Sequence, residues 1–158
     1  MKQSAELFHI YQIGGMLMAF FITESCTGCA LCGGNCPVKA IAGLPKQRYV
    51  INSARCINCG VCGRGCPSSA ILDNIGQVTM KKPKEEWSKP VIDTSLCSAC
   101  GVCVNACGKD SLDISKPTFR GDLSVFALLS NEKTCVGCGV CENVCPMKAI
   151  LMRKDSVS

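Results

Sequence analysis

The chain has few aromatic side chains: five Phe, two Tyr and one Trp among 158 residues. Aromatic residues bury large areas and usually dominate a domain core, so a conventional core of full size is not expected. The length fits one ordinary domain or two small ones. We therefore expect folding to depend on a bound group, and metal binding supplies folding free energy of this kind.

Long apolar segments are also missing. The longest apolar run, residues 13–22 (IGGMLMAFFI), is well short of the roughly 20 residues that a membrane-spanning helix needs. It resembles the apolar part of a signal peptide, but no small-residue cleavage site follows it and no twin-arginine pair precedes it. We therefore expect no transmembrane segment and a cytoplasmic location, where thiols stay reduced.

Groups that usually carry catalysis or bind nucleic acid are scarce. The one histidine, His9, has no evident acid–base partner, and neither a Gly-rich dinucleotide fingerprint nor a P-loop is present. The most basic stretch, residues 80–89, is interrupted by Glu85 and Glu86, which favours a solvated segment over a nucleic-acid-binding face. The sequence predicts no catalytic residue, no small-molecule substrate of its own and no nucleic-acid partner.

Cysteine, in contrast, is abundant, with sixteen residues that make up about a tenth of the chain. They form four motifs of the pattern C-x2-C-x2-C-x3-C, at residues 26–36, 56–66, 97–107 and 135–145, and no cysteine lies outside them. Proline follows three of the motifs, whereas Gly108 follows the third. Glycine comes directly after the second cysteine in three motifs, and Ala30 in the first. This fourfold repeat is the clearest organisational signal in the chain.

The spacing suits cubane iron–sulfur clusters. Two-residue gaps let three thiolates bind three irons of one cube, and the fourth cysteine can reach a neighbouring cluster. Glycine after the second cysteine allows a positive φ, so that backbone N–H groups can point at sulfur. A tetrahedral zinc site does not need this register, and disulfides would need an oxidising compartment, so both alternatives are disfavoured.

These motifs resemble those of bacterial-type ferredoxins with two [4Fe–4S] clusters, duplicated in tandem as in polyferredoxins. The resemblance covers about residues 19–153 and implies an α+β fold of two tandem ferredoxin-type lobes, each pseudo-twofold, with short hairpins and short helices around a cluster pair. It implies four [4Fe–4S] clusters, bound by Cys26, Cys29, Cys32 and Cys66; by Cys56, Cys59, Cys62 and Cys36; by Cys97, Cys100, Cys103 and Cys145; and by Cys135, Cys138, Cys141 and Cys107.

A second arrangement of the fourth cysteines stays open. The four-cluster subunits of molybdopterin oxidoreductases and formate-linked hydrogenases nest one ferredoxin unit inside another. The first motif would then exchange its fourth cysteine with the fourth motif, and the second with the third. The proline-containing stretch at 80–90 and the strand-like residues 49–51 favour pairing between consecutive motifs.

Composition predicts the domain boundaries. We expect an N-terminal arm at residues 1–18, a first lobe at 19–79, a linker at 80–90 and a second lobe at 91–158, which carries an insert at about 115–134. Short strands are predicted at 19–23, 49–51, 91–92 and 124–130. Short helices are predicted directly after each fourth cysteine, at 38–43, 68–72, 109–114 and 147–152, with proline as a helix start.

The resemblance implies electron transfer, because a cluster with four cysteine ligands has no open iron for a substrate. An oxidised cluster with its four thiolates carries −2, so four of them would change the formal charge of +5 to about −3. This near-neutral charge and the apolar arm favour an oxygen-sensitive relay subunit. Its catalytic partner would be a tungsten or molybdenum aldehyde or formate oxidoreductase, a hydrogenase or a flavin subunit. A freely diffusing low-potential ferredoxin and a structural Fe–S module are the alternatives.

Overall fold

The computed structural model describes the backbone of residues 12–13 and 16–17 and the whole of residues 19–154. His9 and most of the predicted N-terminal arm therefore lie outside the described residues. The chain divides into two compact units, unit 1 ending at Pro83 and unit 2 beginning at Lys84. Across the described part of the chain, no helix is long and apolar enough to cross a membrane.

The described elements are short. The helices, each of five residues, are α1 (Leu31–Asn35), α2 (Val61–Gly65), α3 (Val102–Ala106) and α4 (Val140–Val144). The strands are β1 (Gln12–Ile13), β2 (Met16–Leu17), β3 (Phe21–Ile22), β4 (Ile41–Ala42), β5 (Val50–Ile51), β6 (Ile71–Leu72), β7 (Lys89–Ile92), β8 (Leu112–Ile114), β9 (Ala127–Leu129) and β10 (Ile150–Arg153). A 3₁₀ turn covers Lys84–Glu86.

The helices lie inside the cysteine motifs, so the prediction of a helix after each fourth cysteine is wrong. Each helix begins two residues after the second cysteine, contains the third and ends just before the fourth. The fourth cysteine is extended in every motif, as at Cys36 with ψ 116°. A residue before proline disfavours the helical region, and proline cannot continue a helix, so Pro37 acts as a stop signal. The segments predicted as helices form a turn followed by β4, β6, β8 or β10.

In unit 1, strands from the two motifs pair with each other. β3, which leads into the first motif, pairs antiparallel with β6, which leaves the second, and β4 pairs with β5. Ile22, Ile51 and Ile71 are 5% exposed or less and pack with buried cysteines in one core. Burial of each such side chain stabilises the unit by about 1.5–3 kcal/mol.

In unit 2, β7 pairs antiparallel with β10 and β8 with β9. Leu112, Ala127 and Ile150 form the buried core together with Cys103 and Cys141. The connection between β8 and β9 is long and lies within the region predicted as an insert. Its turn is organised by the Asp122 carboxylate, which accepts hydrogen bonds from backbone and side-chain groups; these bonds lower the Asp122 pKa to about 2.

The four strands predicted from apolar segments are confirmed as β3, β5, β7 and β9. The α+β content of short helices and short antiparallel ladders agrees with a ferredoxin-type fold. The charged stretch at 80–90 contains the buried Trp87, and its last two residues belong to β7. The domain boundaries stay a prediction.

Positive φ angles recur at three places in every motif. The residue before the second cysteine is Gly28, Asn58, Ala99 or Gly137. The residue after the second cysteine is Ala30, Gly60, Gly101 or Gly139. The third residue after the fourth cysteine is Lys39, Ser69, Asp110 or Lys148. The predicted positive φ of the glycines after the second cysteine is therefore confirmed. Because left-handed residues flank the second cysteine, the loop turns tightly around it.

Two substitutions beside Cys100 should change stability in opposite directions. Gly101 has φ 74° and nothing within 4 Å of an added Cβ, so Gly101→Ala adds backbone strain only, and we expect the free energy of unfolding to fall by about 1 kcal/mol. Ala99 has φ 53°. Ala99→Gly should raise the free energy of unfolding by about 0.5 kcal/mol, since the relief of backbone strain exceeds the entropy cost of glycine. Anaerobic thermal unfolding measures both, and shifts of the same sign would contradict this account.

Candidate metal centres

Four cavities within the described residues are each lined by four cysteines. We call them site 1, with Cys26, Cys29, Cys32 and Cys66; site 2, with Cys56, Cys59, Cys62 and Cys36; site 3, with Cys97, Cys100, Cys103 and Cys145; and site 4, with Cys135, Cys138, Cys141 and Cys107. Their volumes are about 310 Å³ at sites 1 to 3 and about 370 Å³ at site 4, including space open to solvent. Each site takes three cysteines from one motif and one from the other motif of the same unit.

The third cysteine of each motif lies in a helix and is buried. These residues, 6–9% exposed, are Cys32, Cys62, Cys103 and Cys141. Burial raises the pKa of each thiol, to about 11 for Cys32 and about 12 for Cys62 and Cys141. Charge on the other three cysteines of the same site raises the pKa of Cys32 and of Cys141 further.

These pKa shifts bear on the protonation state of the buried thiols. Burial and the charge of neighbouring cysteines favour the neutral thiol at Cys32, Cys62 and Cys141. Cations bound between the sulfur atoms would reverse this preference, because metal ligation displaces the thiol protons. A bound metal centre would therefore hold the cysteines of a site as thiolates.

The fourth cysteine of each motif receives a backbone hydrogen bond. In every motif the N–H of the residue four positions later donates to its sulfur, at 3.2–3.4 Å, from Ala40, Ala70, Ser111 and Ala149. All four donors are small, and all are at most 3% exposed. Such bonds stabilise a thiolate and favour the more negative state of a cluster. Sequence analysis missed these donors, although a small residue at this fixed distance is a signal that could have found them.

Two glycines allow a second chain segment to cover a ligand loop. A Cβ at Gly28 would lie 2.6 Å from backbone atoms of Lys46 and Gln47, and a Cβ at Gly137 would lie 2.3 Å from the Ser88 carbonyl oxygen. Sites 1 and 4 are closed in this way. At the same position, directly before the second cysteine, sites 2 and 3 have Asn58 and Ala99. Sequence analysis had singled out only the glycine after the second cysteine.

The donor set fits an iron–sulfur cluster, for which four thiolates per cubane are the usual ligands. In residues 19–154, no three His, Cys, Asp or Glu side chains converge on a position suited to a single metal ion. Each ligand of a cubane binds a different iron, so such convergence is not needed. Sixteen cysteines in four sets of four are compatible with four clusters.

Comparison with known proteins agrees with this chemistry. A family model described as a 4Fe-4S dicluster domain matches residues 55–111 and 96–149, and a second model of the same description matches residues 25–71. A chain of the formate dehydrogenase–heterodisulfide reductase–formylmethanofuran dehydrogenase complex from Methanospirillum hungatei is similar at 22% identity with a TM-score of 0.33. The match covers 90% of this chain and 60% of that one. The comparison with curated proteins gave no match.

The covering segments generate a prediction. Gly28→Ala and Gly137→Ala should each prevent closure of one ligand loop, since backbone lies within 2.6 Å of the new Cβ, and each should lose about a quarter of the bound iron. Gly34→Ala, in α1 with nothing within 4 Å, is the matched control and should retain its iron. Iron is measured after anaerobic reconstitution. Full iron content in both variants would show that the loops can open without losing the centre.

Proposed function

The chain belongs to the 4Fe-4S dicluster domain family, and from this premise we propose that it binds one [4Fe–4S] cluster at each of sites 1 to 4 and passes single electrons between redox partners. The observation that carries the proposal is the set of four cavities, each lined by four cysteines, which together use all sixteen. The clusters supply one-electron chemistry. The protein binds them, orients them and limits their contact with water.

A catalytic role is not part of the proposal. With four cysteine ligands a cubane has no open coordination position for a substrate. All sixteen cysteines are assigned to ligation, so none is left to act as a nucleophile. The chemistry that uses the electrons would therefore take place on another subunit.

We propose pairing between consecutive motifs, with units 1 and 2 as tandem pseudo-twofold lobes. Two observations support this. Each site draws its cysteines from one unit only. The order of strand pairing in unit 1, β3 with β6 and β4 with β5, has a counterpart in unit 2, β7 with β10 and β8 with β9. Lobes at 19–79 and 91–158 with a linker at 80–90 are proposed from the composition of the sequence, and the last two residues of this linker belong to β7.

We further propose that the chain acts as a fixed subunit of a cytoplasmic oxidoreductase complex. The near-neutral charge expected for the loaded protein favours this over a diffusing ferredoxin. The loop between β8 and β9 presents Phe119 and Leu123 with 66% and 91% exposure, and exposed apolar side chains of this kind suit a protein partner. A tungsten or molybdenum aldehyde or formate oxidoreductase, or a hydrogenase, is the partner class proposed.

Paired cysteine substitutions test the ligand sets. Cys29 and Cys66 belong to site 1, so the variant with both changed to Ala should lose one cluster and keep about 12 of about 16 irons. The matched variant with Cys29 and Cys36 changed to Ala affects sites 1 and 2 and should keep about 8. In nested pairing both variants would keep about 8. Zinc in place of iron in the unaltered protein would contradict the cluster assignment itself.

Electron transfer and assembly are tested on the native protein. Anaerobic titration should show reversible uptake of about four electrons per chain, one per cluster. Clusters that take up no electrons would point to a structural module instead.

Gel filtration of an anaerobic native extract should show the chain eluting with larger subunits. A chain that elutes alone would favour the diffusing carrier.

A further inference from the structure

A lysine is fixed beside site 4. Lys89 lies in β7, and its Nζ donates hydrogen bonds to the carbonyl oxygens of Glu132, at 2.8 Å, and of Cys135, at 2.9 Å. Cys135 lines site 4. Two bonds to the backbone hold the ammonium group at the start of the ligand loop, where a flexible lysine would otherwise extend into solvent.

A second lysine lines the same cavity. Lys109, two residues after the fourth cysteine of its motif, is part of the lining of site 4. The same position lines every other site but is uncharged there: Ser68 at site 1, Val38 at site 2 and Met147 at site 3. No charged residue other than cysteine lines site 3, the neighbour of site 4 in unit 2.

The position of Lys89 is also specific to unit 2. Asp93 corresponds to Thr23 of unit 1, because the N–H of each donates to the carbonyl just before its partner strand. Four residues earlier, unit 1 has the buried Ala19 where unit 2 has Lys89. Unit 1 has its own cation, Arg64, whose guanidinium lies 3.5 Å from the Cys59 carbonyl oxygen at site 2. Within unit 2, by contrast, site 4 has a lysine in its lining and site 3 has no charged residue other than cysteine.

One carboxylate opposes the two lysines. Glu142 follows Cys141 in α4, and its Oε1 accepts a hydrogen bond of 3.1 Å from the N–H of Met152, which also lines site 4. Together, Lys89, Lys109 and Glu142 contribute a net charge of about +1 beside site 4. In the lining of site 3, the position of Lys109 is held by the uncharged Met147.

We propose that Lys89 and Lys109 give site 4 a higher reduction potential than site 3, so that an electron entering unit 2 settles at site 4. The inference rests on the proposed function, since it needs a cluster at each site. A reduced cluster carries one more negative charge than an oxidised one. A cation held nearby therefore stabilises the reduced form more, and partial burial strengthens the effect.

Redox titration of the loaded protein tests the inference, with each one-electron step followed by electron paramagnetic resonance. Lys89→Gln and Lys109→Gln should each move the same single step to lower potential, by about tenfold in the reduction equilibrium, which is 59 mV for one electron. Lys89→Arg keeps the charge and should leave that step in place. Glu142→Gln should move it to higher potential. Lys116→Gln, which removes an exposed charge from the loop between β8 and β9, is the matched control.

The outcomes separate this inference from the proposed function. An iron content well below about sixteen per unaltered chain would overturn the function and the inference together. Two outcomes at full iron content would overturn the inference alone. One is that neither Lys89→Gln nor Lys109→Gln changes the potential of any step. The other is that Lys89→Arg lowers the potential of the step as far as Lys89→Gln does. The same holds if Lys89→Gln and Lys109→Gln move different steps.

Discussion

Four thiol groups that share one small cavity repel each other once ionised, and burial removes the water that would stabilise them. The raised pKa values of Cys32, Cys62 and Cys141 express this constraint. The iron–sulfur core proposed for each site would remove it, because each thiolate would then gain a bond to iron. Each site is lined by cysteines of two motifs, so the proposed bonds would also hold distant chain segments together. They would add to small apolar cores that contain few aromatic side chains, such as Phe20 and Tyr49.

The backbone conformation, and not the other side chains of the motifs, places the cysteines. Left-handed residues on both sides of the second cysteine turn the loop, and a five-residue helix then carries the third cysteine into the interior. Where the helix stops, the fourth cysteine is extended, and the N–H four residues later reaches its sulfur. Local geometry of this kind repeats in all four motifs, although their side chains differ.

Parts of this arrangement could be predicted from the sequence. Apolar segments such as residues 49–51 lead to strands because they pack on the core, and glycine after the second cysteine indicates the positive φ of Gly60. The helices could not be placed, since segments with Cys and Gly have no helical periodicity, while residues 38–43 resemble a helix yet form a turn and strand. The contact of Lys89 with Cys135 joins residues 46 positions apart along the chain, so it depends on the tertiary fold and not on a local sequence pattern.

The recurring residues with positive φ also limit which substitutions the chain can tolerate. None of the twelve holds Val, Ile or Thr, and a β-branched side chain is poorly suited to that conformation. Their immediate neighbours, such as Thr27, Ile57 and Val136, use these residue types freely. Substitution between residue types should therefore be easier at positions such as Thr27 and Ile57 than at the left-handed residues Gly28 and Asn58 that follow them. The backbone of the four motifs can therefore stay the same while the side chain before each left-handed residue changes.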